Sequence, residues 1–177
     1  MTAARHLVWP QGQAWLASSP EQWPPRLREG SPRVREAVRE FPATAPGWPG
    51  AVAVQLASWN ASGASYFAQL CAVLTPPPAP AFGARLEVHV DVPADDAAPG
   101  LEALVFAGIA ALDTRPAGVI SLSRLTLHPV DFQAWAWQCC GATAVRLLCA
   151  DVLHQSDEDL HTLALQVRLH TAPLAMS

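Results

Sequence analysis

Residues 85–92 alternate without a break. Leu86, Val88, Val90 and Val92 are apolar, and Arg85, Glu87, His89 and Asp91 between them are polar or charged. Successive side chains of a strand point to opposite faces. The pattern therefore demands a strand with one face in a core and the other in water. A sheet of such strands is covered on one side only, which calls for helices on that side and for antiparallel or mixed pairing.

The rest of the chain from residue 51 onward supplies candidates for both layers. Residues 51–57 alternate Val52, Val54 and Leu56, as a short strand does. Residues 64–74 read as a helix with Phe67, Leu70, Cys71 and Leu74 on one face. Residues 101–112 read as another, in which Gly108 would let the helix approach a sheet closely. In 119–128 the phase of alternation slips between Ile120–Leu122 and Leu125–Leu127, so a bulge is expected near Ser123 or Arg124. Asp131 is placed to cap a helix running to about Cys140, with Gly141 ending it. Residues 144–152 and 160–171 suggest an antiparallel hairpin around the acidic loop Asp157-Glu158-Asp159. A longer helix through 142–153 is the alternative for its first half. The expected class is α+β, in two layers: a mixed or antiparallel sheet with helices packed on one face.

Residues 1–50 look different. They hold eight of the 17 prolines and four of the seven tryptophans, with Trp-Pro at Trp9-Pro10, Trp23-Pro24 and Trp48-Pro49. Proline limits long regular elements, while tryptophan carries too much apolar area to float in water. The segment reads as an arm that wraps the main domain or a neighbouring subunit. It has room for one short helix, with Ser31 as cap, Pro32 in the first turn, Val34, Val38 and Phe41 on one face, and Pro42 as the stop. Residues 51–177 then form a single domain, with a polyproline-like seam at 75–81.

Composition narrows the chemistry. Hydrophobic residues make up 51% of the 177, ample for a core. The net charge of −4 argues against a general affinity for nucleic acid or anionic lipid. All eleven positive residues are arginine. Without lysine there is no Schiff base, no pyridoxal-phosphate attachment and no P-loop lysine. The bias matches a bacterium with a GC-rich genome. No apolar run reaches the ~20 residues of a membrane helix, and the N-terminus lacks a signal-peptide apolar region. These features, with cysteines Cys71, Cys139, Cys140 and Cys149 in apolar surroundings, suggest a cytoplasmic protein with reduced thiols.

The best candidate site is the polar side of the strands. It would carry Arg85, Glu87, His89 and Asp91, then Arg124, Thr126 and His128, then Gln166, Arg168 and His170. Imidazole beside carboxylate suits acid–base work, with His89, Asp91, His128 and His170 as candidates. Arg85, Arg124 and Arg168 suit an anionic ligand. The simpler reading is that a one-sided sheet must show polar residues to water. No metal-ligand spacing, phosphate loop or nucleophile elbow is present, so neither a metal nor a cofactor is expected. Cys139-Cys140 is a thiol candidate whose apolar helix favours inert packing. In Trp135-Ala136-Trp137, residues two apart on a helix diverge by about 200°, so one indole faces the core and the other elsewhere. Trp9, Trp23, Trp48 and Trp137 are the candidate contact residues. The leading expectation is a non-catalytic protein acting through a protein partner or self-association. The competing one is a small-molecule-binding protein or enzyme using the face around His89.

Overall fold

The computed structural model describes residues 4–28, 32–58, 65–78, 84–93, 100–127, 131–152 and 154–167. Seven strands form one sheet: β1 (Arg5–Trp9), β2 (Gly12–Ala17), β3 (Arg33–Pro42), β4 (Gly50–Ser58), β5 (Tyr66–Thr75), β6 (Arg85–Pro93) and β7 (Gly118–Thr126). Their spatial order is β1-β2-β4-β5-β7-β6-β3. Every pair is antiparallel except β6–β7. Between those two parallel strands the chain passes through α2 (Leu101–Ala110), as a parallel pair requires. Three further helices follow the sequence pattern less directly: α1 (Pro25–Arg28), α3 (Ala134–Leu148) and α4 (Asp157–Leu165). The expected α+β class with a mixed sheet is what the chain adopts.

β6 behaves as its alternation requires. Leu86, Val88, Val90 and Val92 are buried in the main core together with Val52, Val54 and Leu56 of β4 and the inward residues of α2, α3 and α4. The phase slip in β7 is a bulge. Cys71 pairs with Ser123 but Gln69 pairs with Thr126, and Arg124 between them takes a left-handed φ of 55°. Ile120, Leu122 and Leu125 are thereby all turned inward.

Several expected elements are corrected. The helix expected over 64–74 is, from Tyr66 onward, strand β5. Ala68, Leu70, Ala72 and Leu74 join the main core while Cys71 joins a second cluster on the opposite face. A strand covered on both faces needs no alternation, so its apolar run carries no period. The helix expected over residues 31–41 is, from Arg33 onward, strand β3. Its arginines and glutamates tolerate exposure, and pairing along the whole of β6 satisfies backbone groups that a short helix would hold only marginally. The expected hairpin after residue 144 is helical: α3 continues to Leu148, in line with the alternative, and α4 starts where Ser156 Oγ accepts a bond from Asp159 N at 3.1 Å. Residues 168–171 lie outside the described residues.

Two glycines act by closeness rather than by ending or loosening a helix. A Cβ on Gly108 would sit 2.0 Å from the Gln138 carbonyl oxygen, so the close neighbour of α2 is α3 and not the sheet. Gly141 does not stop α3; a Cβ there would lie 2.9 Å from Val105 Cγ1 of α2. Asp131 is not the α3 cap either. Gln133 occupies that position, while the buried Asp131 carboxylate accepts a bond from Ser65 Oγ.

The first fifty residues supply three strands of the sheet, at both of its edges, rather than an appended arm. Only the stretch between β2 and β3 wraps. Trp23 and Leu27 lie across the face remote from α2 and α3, against Trp15, Ala17, Ala51, Ala53 and Cys71. This covers that face over β2, β4 and β5 and explains why Ala51 and Ala53 of β4 are buried on it.

Gly108→Ala should destabilise the fold by about 3 kcal/mol, the upper range for overpacking against backbone that cannot yield. Chemical denaturation measures it. A cost below about 0.5 kcal/mol would mean that α2 and α3 are not so closely joined.

Candidate functional site

The uncovered part of the remote face carries the polar residues of β6. Register places Val38 of β3 opposite His89, Glu36 opposite Asp91 and Glu40 opposite Glu87. His89 Nδ1 lies 3.2 Å from a Glu36 carboxylate oxygen, and Nε2 is hydrogen-bonded to Glu87. The Glu87 bond, and behind it Glu36, raises the imidazole pKa above its ordinary value against an opposing contribution from partial burial. Arg85 pairs with Glu40, and Asp91 with Arg33 at 3.1 Å. Arg85, His89 and Asp91 thus each have an opposite charge on the neighbouring strand, while Glu87 bonds His89 of its own strand, and the set ties edge strand β3 to β6.

The other sequence candidates do not join them. Arg124 Nη1 donates to the Leu27 carbonyl at 3.2 Å and fastens α1 to the sheet. His128, Arg168 and His170 lie outside the described residues. No group of three metal-ligating side chains occurs among the described residues. Burial pushes the Cys71 and Cys149 thiols up to about 12, and that of Cys140 far above its usual range, so these three are poor nucleophiles.

Of the candidate contact tryptophans, Trp9, Trp23 and Trp137 are buried within the chain, and only Trp48, 43% exposed, remains on the surface. The divergence within Trp135-Ala136-Trp137 holds, but it is Trp137 that enters the core and Trp135, 37% exposed, that faces out.

Trp135 marks a site that sequence reasoning did not assemble. Trp135, Cys139 and Thr143 recur every four residues along one stripe of α3. That stripe forms one wall of a cleft of about 530 Å³ at the end of the sheet. Leu165 and Val167 close it from the side of α4; Trp9, Gln11, Leu56 and Tyr66 line it from the strand ends. Tyr66 meets the Trp135 ring edge-on, with centroids 4.6 Å apart, and its hydroxyl donates to the Gln11 carbonyl at 3.4 Å. Among the described residues no lining side chain is charged; the polar groups are a phenol, a hydroxyl, an amide and a thiol. The residues come from five elements between 9 and 167, so no local motif announces the site. The one sequence signal was the outward tryptophan of α3.

Comparison with known proteins adds no identity: no family model, curated protein or solved structure matches the chain.

The His89 contacts have a signed consequence. A raised folded-state pKa means that His89 contributes stability in full below the ordinary value of 6.5, and that this contribution is lost as pH rises through the raised value. An NMR titration of the His89 imidazole should give a midpoint above 6.5, moved back towards it by Glu87→Gln. A midpoint at or below 6.5 in the unaltered chain would contradict the two carboxylate contacts.

Proposed function

We propose that this chain is a binding protein for a neutral, largely apolar small molecule, held in the cleft against Trp135. The observation that supports the reading is the cleft itself: about 530 Å³, walled by aromatic and aliphatic side chains, with no charged group among the described residues of its lining. Ligand sites are commonly of this size and make-up, with a few polar groups to fix orientation. A ligand charge would lose its hydration there without gaining a partner. The phenol of Tyr66, the hydroxyl of Thr143 and the amide of Gln11 suit one or two neutral hydrogen-bonding atoms. The described lining residues offer hydrogen-bonding groups and no imidazole or carboxylate, and the reading is therefore binding.

The ion-paired face around His89 supports this function less well, since Arg85, His89 and Asp91 are each engaged by a neighbouring strand. A reducing, cytoplasmic setting fits the four cysteines, none of which forms a disulfide. No helix of the described residues is long and apolar enough to cross a membrane. Contact with another protein, the leading expectation from sequence, keeps Trp48 in its support and gains the edge of β3.

The neutral fluorophore N-phenyl-1-naphthylamine should bind saturably at one site per chain. Trp135→Ala, at a partly exposed position, should weaken it about tenfold while leaving the fold intact, and an anionic naphthalene sulfonate should bind about tenfold more weakly than the neutral probe. Equal affinity for the two probes, indifference to Trp135→Ala, or no saturable binding would overturn the reading.

A further inference from the structure

The two edges of the sheet are finished differently. At β1, helix α4 covers the outer side: His161 Nε2 reaches the Val8 carbonyl at 3.0 Å, and Arg5 is held by Asp157 and by the Val152 and Gln155 carbonyls. At β3, no other segment among the described residues pairs with the outer side, which is the longest strand edge in the molecule. Val34 and Val38 stand 60% and 52% exposed on it. A strand edge left open is a template for another strand.

The charges on β3 are sorted by face. Arg35 and Arg39 lie on the side of α2, where Arg35 pairs with Glu102 and Arg39 sits over the Phe41 and Phe106 rings. Glu36 and Glu40 lie on the open side. Arg35, Glu36 and Glu40 keep roughly half their side-chain surface accessible despite their partners.

This sorting excludes one occupant. Two copies joined edge to edge about a two-fold axis pair antiparallel and keep each face on its own side. Centred on Ala37, Arg35 then opposes Arg39, twice. Centred on Val38, Glu36 opposes Glu40, twice. Centred on Glu36 or Arg39, that residue opposes itself. Like charges directly opposite destabilise a ladder; Glu36 opposite Asp91 and Glu40 opposite Glu87 are accommodated within the sheet by Arg33, Arg85 and His89, which are thereby engaged, so β3 disfavours a second copy of itself in each of these registers.

The same sorting selects a different occupant. We propose that the edge of β3 takes an extended segment of another protein as an eighth strand, with acidic side chains on the helix-covered side facing Arg35 and Arg39, basic ones on the open side facing Glu36 and Glu40, and an apolar residue opposite Val38. Backbone pairing along β3 supplies the attachment, and the face-sorted charges supply the choice of partner. The inference does not depend on the cleft.

The probe is a synthetic peptide with Lys-Glu-Val-Thr-Lys-Glu at its centre, which in antiparallel register sets Lys against Glu40 and Glu36 and Glu against Arg39 and Arg35. Its control exchanges every Lys for Glu and every Glu for Lys. Fluorescence anisotropy should show the first peptide binding about tenfold or more tightly than the control, and the quadruple exchange R35E/E36K/R39E/E40K should reverse the preference. Amide hydrogen exchange should slow along β3 when the peptide is bound. Equal binding of both peptides, no binding, protection confined to other strands, or a β3-mediated dimer of the chain alone would each overturn the proposal. Should the quadruple variant not fold, Arg39→Glu alone, at an exposed edge, must still narrow the difference between peptides; an unchanged difference would overturn it too.

Discussion

The closeness of α2 and α3 sets the geometry of everything above the sheet. Gly108 lies against the backbone of Gln138, and Gly141 against Val105, with no room for a β-carbon at either point. Helices in ordinary contact stand 8–10 Å apart, a distance held open by side chains; two glycines remove that spacer. α3 can then sink onto β4 and β5, to the point where the Cys140 sulfur approaches the Val54 and Ala68 carbonyls at 3.6 and 3.7 Å. Ala136, Trp137 and Val145 fill the core on that side. The neighbouring stripe of Trp135, Cys139 and Thr143 faces the strand ends at Trp9, Leu56 and Tyr66, and it becomes the wall of the cleft.

Below the sheet the same chain solves a different problem. β4 and β5 are apolar on both faces because they are central, and Trp23 and Leu27 cover what the helices cannot reach. That cover stops short of β6 and β3, where the open face is carried by cross-strand ion pairs. Exposed pairs of this kind add little net stability each. Register is held by burial instead, since a one-residue slip of β3 would carry Ala37 and Phe41 from the core to the open face. Two candidate surfaces follow from this division: a neutral cleft where the helical layer overhangs one end of the sheet, and a charge-sorted edge at the other.

What could be read from sequence and what could not divides along physical lines. β6 was readable because it is covered on one face, and one-sided burial writes a period of two. The bulge in β7 was readable because Ile120–Leu122 and Leu125–Leu127 are out of phase. β5 was not, because burial on both faces erases the period and leaves a run as compatible with a helix. β3 was not, because Val34, Val38 and Phe41 happen to fit a helical stripe, while the partner that makes them a strand lies more than forty residues away. The second half of α3 was misjudged at Gly141, where a glycine that serves a close crossing has the same letter as one that ends a helix. At the site level, the outward tryptophan of α3 was foreseeable from two-residue divergence, though not which of the pair it would be. The cleft as a whole was not, since its walls meet only in the folded chain.

The central claim is that Trp135 and Trp9 face a cleft that admits a neutral apolar molecule while the other indoles do not. The most direct test follows the tryptophan indole N–H signals by NMR as N-phenyl-1-naphthylamine is added. Signals of Trp135 and Trp9 should move in a saturable way, while those of Trp23 and Trp137, buried elsewhere, stay in place. A shift centred on Trp48, or no shift at Trp135, would contradict it.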